Sequence, residues 1–143
     1  MENNQLDLIS VIVTINQSLD LVWETWNDET QMKHWAFTTP EYEVRNAKND
    51  LKIGGGYSYE MVSKESDVAF QYAGTYTQID LNQFISFVLN DGRKVDIEFS
   101  LIEDLVYLKL QFEPVLEQDL DVQQEGWQNI LNNFKNYVES IPI

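Results

Sequence analysis

The stretch DLDVQQEGWQNILNNFKNYVESI, residues 119–141, decides the fold. After Trp127, residues Leu131, Phe134 and Val138 fall three or four positions apart, and Ile130, Tyr137 and Ile141 flank them, so one helical face carries a broad apolar stripe. Asp119 or Asp121 starts the helix, because an acidic side chain there accepts bonds from free backbone amides and complements the dipole. A stripe of this width must be buried, and the chain immediately upstream offers only strands as its partner. One long helix across a curved antiparallel sheet closes one side and leaves room for a small-molecule chamber between the layers.

Upstream of the helix, alternation of apolar and polar residues predicts strands over about 41–47, 57–63, 68–79, 83–90, 93–102 and 105–113, after a first strand from Leu6 to Ile15. The inner faces carry Ile9, Val11, Val13 and Ile15; Tyr57, Tyr59 and Met61; Val68, Phe70, Tyr72, Gly74 and Tyr76; Val95, Ile97, Phe99 and Leu101; and Val106, Leu108, Leu110 and Phe112. Glu60, Gln71, Thr75, Asp96, Glu98, Lys109 and Gln111 fall on the opposite, solvated face. Asn90, Asp91 and Gly92 mark the clearest hairpin turn. Between the first two strands, Ser18 caps a short helix that turns Val22, Trp23 and Trp26 inward, and Asp28 with Gln31 predicts a capping box for a second short helix ending near Trp35. The fold class is therefore α+β: about seven antiparallel strands, two short helices after the first, and one long C-terminal helix. Residues 1–143 read as a single domain, with no repeat or linker.

Composition excludes several function classes. The formal net charge of −15 opposes contact with phosphate backbones, whose affinity depends on Lys and Arg displacing counterions, so nucleic acid is not an expected partner. The chain contains no cysteine, which removes disulfides, thiolate metal ligands and thiol nucleophiles. One histidine rules out multi-histidine metal sites, and neither a metal nor a cofactor is expected. The N-terminal MENNQLDLIS lacks a basic segment followed by an apolar core, and no run approaches the ~18 apolar residues that cross a bilayer, so a cytoplasmic protein without membrane insertion is expected.

The element order, together with VWETW at 22–26, HW at 34–35, GGGY at 54–57, GTY at 74–76 and GW at 126–127, resembles the homologues of the activator of the heat-shock chaperone ATPase, within the START-like (SRPBCC) helix-grip superfamily. The resemblance spans about Ser10 to Tyr137. It implies a hydrophobic small molecule bound between sheet and helix, with cyclase or hydrolase activity in a minority of members. Homodimerisation, as in similar proteins, and a chaperone-regulating interaction are further implications, the second weakened by the lack of the extra domain with which eukaryotic activators dock. The chain departs from the usual pattern at Ser18, where proline is common, and at Ala36, where a second tryptophan or similar residue is common.

Individual residues carry two readings each. His34 is either structural or a polar group at the cavity mouth that bonds a ligand. Trp23, Trp26, Trp35 and Trp127 either pack as core or grip an aromatic or lipid-like ligand. Gly126 marks close packing of the last helix on a neighbour, and Gly54, Gly55 and Gly56 form a bulge or bend, since a strand rather than a phosphate-binding helix follows them. Tyr57, Tyr59, Tyr72 and Tyr76 bring hydroxyls to inner faces, where an unpartnered one costs about 1–3 kcal/mol; backbone acceptors, water or ligand must satisfy them. A dry void of about 300 Å³ would cost roughly 7 kcal/mol at about 24 cal/mol per Å³, so the chamber is either narrowed by aromatics or occupied.

The leading expectation is a non-enzymatic binder of a small, mainly apolar molecule. Its walls would include Tyr57, Tyr59, Phe70, Tyr72, Tyr76 and Phe99, and its lid Trp127, Ile130, Leu131 and Phe134. The alternatives are proton-transfer chemistry, cyclisation or hydrolysis, in the same cavity through His34 or a tyrosine, and a chaperone-directed interaction module.

Overall fold

The computed structural model describes residues 8–142. The strands are β1 (Ile9–Ile15), β2 (Tyr42–Asn49), β3 (Gly56–Ser63), β4 (Ala69–Asp80), β5 (Phe84–Leu89), β6 (Lys94–Ile102) and β7 (Leu105–Phe112). The helices are α1 (Leu19–Asn27) and α2 (Leu120–Glu139). All seven strands form one antiparallel sheet in the order β1-β7-β6-β5-β4-β3-β2. The expected start of the first strand at Leu6 lies outside the described residues. α2 packs mainly on β1 and turns Ile130, Leu131, Phe134 and Val138 into one continuous core with the inner faces of the sheet.

α1 forms where its cap dictates: Ser18 Oγ accepts the Leu21 amide at 3.1 Å, and Val22, Trp23, Thr25 and Trp26 are buried. The second short helix is a correction, because only one 3-10 turn, Met32–His34, stands in its place. The reason lies in Asp28, whose Oδ1 is taken by the Thr30 amide and hydroxyl at 2.9 and 2.7 Å, closing a local turn rather than a helix cap. α2 does have its acidic cap, Asp119 accepting from Asp121 and Val122.

Two hairpins use left-handed backbone differently. At 90–92 only Gly92 has positive φ (93°), and its amide bonds to the Leu89 carbonyl at 2.8 Å, giving a three-residue loop with a bulge. Between β6 and β7, Glu103 and Asp104 both take positive φ, 49° and 71°, in a two-residue turn closed by the Ile102–Leu105 pair.

Both sheet edges are blunted. On β1 the carbonyls of Ser10, Ile12 and Thr14 accept bonds from Gln124, Gln128 and Lys135 of α2, so the helix occupies much of that edge. On β2 the register breaks between Arg45 and Lys48, with Asn46 at φ 54°.

Alternation placed most side chains on the correct face but not always under cover. Leu101 and Val68, read as inward, are 57% and 45% exposed. β5 pairs with β6 only from Lys94 to Glu98, so Leu101 lies past the end of that pairing, and Val68 precedes β4 altogether.

Candidate functional site

The aromatic residues of the interior divide into two groups. In the first, Trp26 stacks on Trp35 at 4.5 Å between ring centroids, and both meet Phe134 edge-on at 5.0 and 4.9 Å. Phe99 closes this group against Trp23 and Trp26, and Ile130 and Leu131 are buried on the same helix. These rings fill the space beneath the middle of α2 and act there as core. Trp35 Nε1 is wholly enclosed and has no hydrogen-bond partner among the described residues, a cost the stacking must offset.

The second group lies on the β3–β4–β5 side of the sheet. Tyr57 has Tyr59, Tyr72, Tyr76 and Phe87 around it, with centroids 6.0, 6.1, 6.1 and 5.3 Å away. The register explains the cluster: Tyr57 pairs with Gly74 and Tyr59 with Tyr72, so their side chains share one face, and Gly74 leaves room. A Cβ on Gly74 would stand 3.1 Å from the Phe87 ring and 2.8 Å from the Val88 carbonyl oxygen. Trp127 of α2 covers the group, 5.2 Å from Tyr72 and 6.0 Å from Phe112.

The hydroxyls differ in how they are satisfied. Tyr76 donates to Asn49 Oδ1 at 2.5 Å, and Asn49 in turn bonds the Asn27 carbonyl and takes Glu29 on its own amide. Tyr57, Tyr59 and Tyr72 have no hydrogen-bond partner among the described residues, yet their oxygens are not sealed: the unpartnered, wholly enclosed side-chain polar atoms are Asn27 Oδ1 and Trp35 Nε1. Each of these oxygens therefore keeps some accessible surface, and Tyr57 and Tyr72 each line a cavity of the surface. Burial first, and then neighbouring phenols, hold Tyr57 and Tyr72 well above the ordinary phenol value; burial alone raises Tyr59. These groups are therefore neutral hydrogen-bond donors, not bases.

The remaining expected site residues stand apart. Phe70 lies on the same face, opposite Met61, but is 52% exposed and rests on Tyr42, because cover by α2 ends before it. His34 is exposed and stacks flat on Tyr137 at 4.8 Å, among neither aromatic group. Gly126 approaches the segment after the 3-10 turn, where a Cβ would stand 3.4 Å from Thr38 Cγ2. On the outer face Asp96 is half-buried rather than freely solvated, and accepts the buried Ser86 hydroxyl at 2.6 Å. Among the described residues no three His, Asp or Glu side chains gather as a metal site, and no helix is long and apolar enough to cross a membrane. Asn49 and Arg93 escaped the sequence reading, since polar residues near strand ends carry no periodic signal.

The family described as "Activator of Hsp90 ATPase homolog 1-like protein" matches residues 16–139. Among solved structures, an AHSA1-like protein from Aeromonas hydrophila is similar at 32% identity, covering 94% of this chain and 93% of its own, with a TM-score of 0.86. A protein from Cytophaga hutchinsonii is 37% identical over 92% of this chain and 91% of its own, with a TM-score of 0.80. The Aha1 dimer from Colwellia psychrerythraea, at 11% identity, covers 94% of this chain and 98% of its own with a TM-score of 0.73, a likeness of fold. No curated protein matches.

Proposed function

The chain belongs to the Activator of Hsp90 ATPase homolog 1-like protein family, and from that premise we propose that it binds a small, mainly apolar molecule between the sheet and α2. The reading rests on one observation above others: the hydroxyls of buried Tyr57 and Tyr59 and of half-buried Tyr72 have no partner among the described residues, beside the half-buried Trp127. Apolar walls with a few convergent donors suit an aromatic or lipid-like ligand bearing an acceptor. The rings around Trp26 and Phe134 already fill the neighbouring space, so the ligand is confined to the tyrosine group and is small.

Native mass spectrometry after gentle purification, followed by calorimetric titration against lipids and aromatic metabolites, tests this. A saturable ligand is expected, and Tyr59→Phe weakens it by about 3–10-fold, the loss of one hydrogen bond. A chain that takes up no compound saturably overturns the reading. The family description favours a second one, contact with a chaperone; capture of Hsp90 by the tagged chain, lost when surface carboxylates are neutralised, would support it.

A further inference from the structure

The sheet opens where β4 outruns its neighbour. β5 pairs with β4 only up to Leu89–Gly74, so β4 from Ala69 to Ala73 has β3 on one side and no strand on the other. The β5–β6 hairpin stands across this gap, its Asn90 amide bonded to the Ala73 carbonyl at 3.0 Å. Between them lies a slot of about 280 Å³, lined by Tyr72, Leu89, Asp91 and Arg93 among others. Two of these residues also belong to the interior: Tyr72 faces Trp127, and Leu89 is a buried inner-face residue. The slot and the tyrosine group therefore share a wall.

Arg93 is the cation of this slot, and it is fixed. Its Nε donates to Asp91 Oδ2 at 2.8 Å and its Nη1 to the Glu113 carbonyl at 3.3 Å. Its side chain retains 25% of its surface. A guanidinium has five N–H donors, and these contacts use two, leaving Nη2 uncommitted in a held orientation. The Tyr72 phenol senses this ion pair: burial and Tyr59 raise its pKa, Arg93 pulls the other way, and Asp91 raises it again. Asp91 lines the same slot and offsets this charge at 2.8 Å, so what the site offers an acceptor is the directed N–H donors of Nη2 rather than a free cation.

We propose that the slot between β4 and the β5–β6 hairpin is the ligand's polar station, and that the ligand is an amphiphile carrying one carboxylate, held by Arg93 and the Tyr72 hydroxyl with its apolar body under Trp127. This deepens the small-molecule reading above and rests on it. The carboxylate accepts from Nη2 and from the phenol, which stays protonated; the apolar body meets the tyrosine and tryptophan rings.

The test is calorimetric titration with matched pairs that differ only in charge: naphthalene-2-carboxylate against its carboxamide, and decanoate against decanamide. The wild-type chain is expected to prefer the carboxylate of at least one pair by about 10-fold or more, the strength of a charge-assisted contact. Arg93→Gln removes the preference by weakening the carboxylate more than the carboxamide, while Arg93→Lys keeps part of it, since charge remains and the fork is lost. An unchanged circular dichroism spectrum serves as the control for folding. Equal affinity within both pairs overturns the proposal and leaves the small-molecule reading standing, as does an Arg93→Gln effect of equal size on acid and amide. Binding of none of the four overturns this proposal, while the small-molecule reading falls only if the wider lipid and metabolite screen also finds no saturable ligand. If Arg93→Gln does not fold, the wild-type ratio alone decides.

Discussion

Gln17 donates from Nε2 to the Val138 carbonyl at 2.9 Å and to the Ile141 carbonyl at 3.0 Å, so a residue between β1 and α1 closes the C-terminal end of α2. The last carbonyls of a helix lack intrahelical partners, and this side chain, only 8% exposed, donates to one of them, Val138, and to Ile141 just beyond the helix end. Gln17→Ala is expected to lower stability by about 1–2 kcal/mol, because buried acceptors lose their donors. Urea denaturation checks it, and an unchanged midpoint would show that water replaces the amide without loss.

The glycine bulge makes a sharper contrast. A Cβ on Gly55 would fall 2.1 Å from the Asp50 carbonyl oxygen, whereas one on Gly56 would meet nothing within 4 Å. Backbone cannot yield cheaply, and Gly55 also bonds β4 through its carbonyl to the Tyr76 amide. Gly55→Ala should cost about 2–3 kcal/mol and Gly56→Ala about 0.5 kcal/mol or less. Thermal unfolding of the two variants side by side measures the difference.

Alkaline pH should unfold this protein cooperatively. Burial is the first cause that raises the pKa of Tyr57, Tyr59, Tyr72 and Tyr76, though the Asn49 bond partly offsets it for Tyr76. Free phenols ionise near about pH 10, so above that value the unfolded chain binds fewer protons than the native one, and stability falls as pH rises; below it the contribution is fully present. A tyrosinate absorbance titration followed with circular dichroism should show these four ionising together with the loss of structure. Their ionisation near pH 10 with the fold intact would contradict the burial described here.

The β6–β7 turn is open to improvement. Glu103 and Asp104 both hold left-handed backbone that Asn and Gly adopt more readily. The double change Glu103→Asn with Asp104→Gly should stabilise by about 0.5–1 kcal/mol, read as a raised urea midpoint with an unchanged slope.

Much of this architecture was legible because its signals are periodic. The two-residue alternation located all seven strands within a few positions, and the 3.6-residue stripe located α2. Faces were legible; cover was not, because alternation says which way Phe70 and Leu101 point but not where the helix or neighbouring strand ends. The second short helix was misread because a capping pattern does not reveal that Thr30 takes the Asp28 carboxylate first. For the candidate site, the tyrosine group followed from strand parity, while Asn49 and Arg93 depend on contacts with segments distant in sequence, Tyr76 and Glu113 among them.

The order of the sheet bears on how the chain matures. The one strand that β1 pairs with is β7, with Ile9 opposite Phe112, and α2 covers much of its other edge. During synthesis the first strand must therefore wait, unpaired, until nearly the whole polypeptide has emerged, while the β2-to-β7 meander assembles from neighbours. Closure is a late, long-range event of the kind that slows folding, and an N-terminal segment kept waiting is the part most exposed to mispairing with another nascent copy.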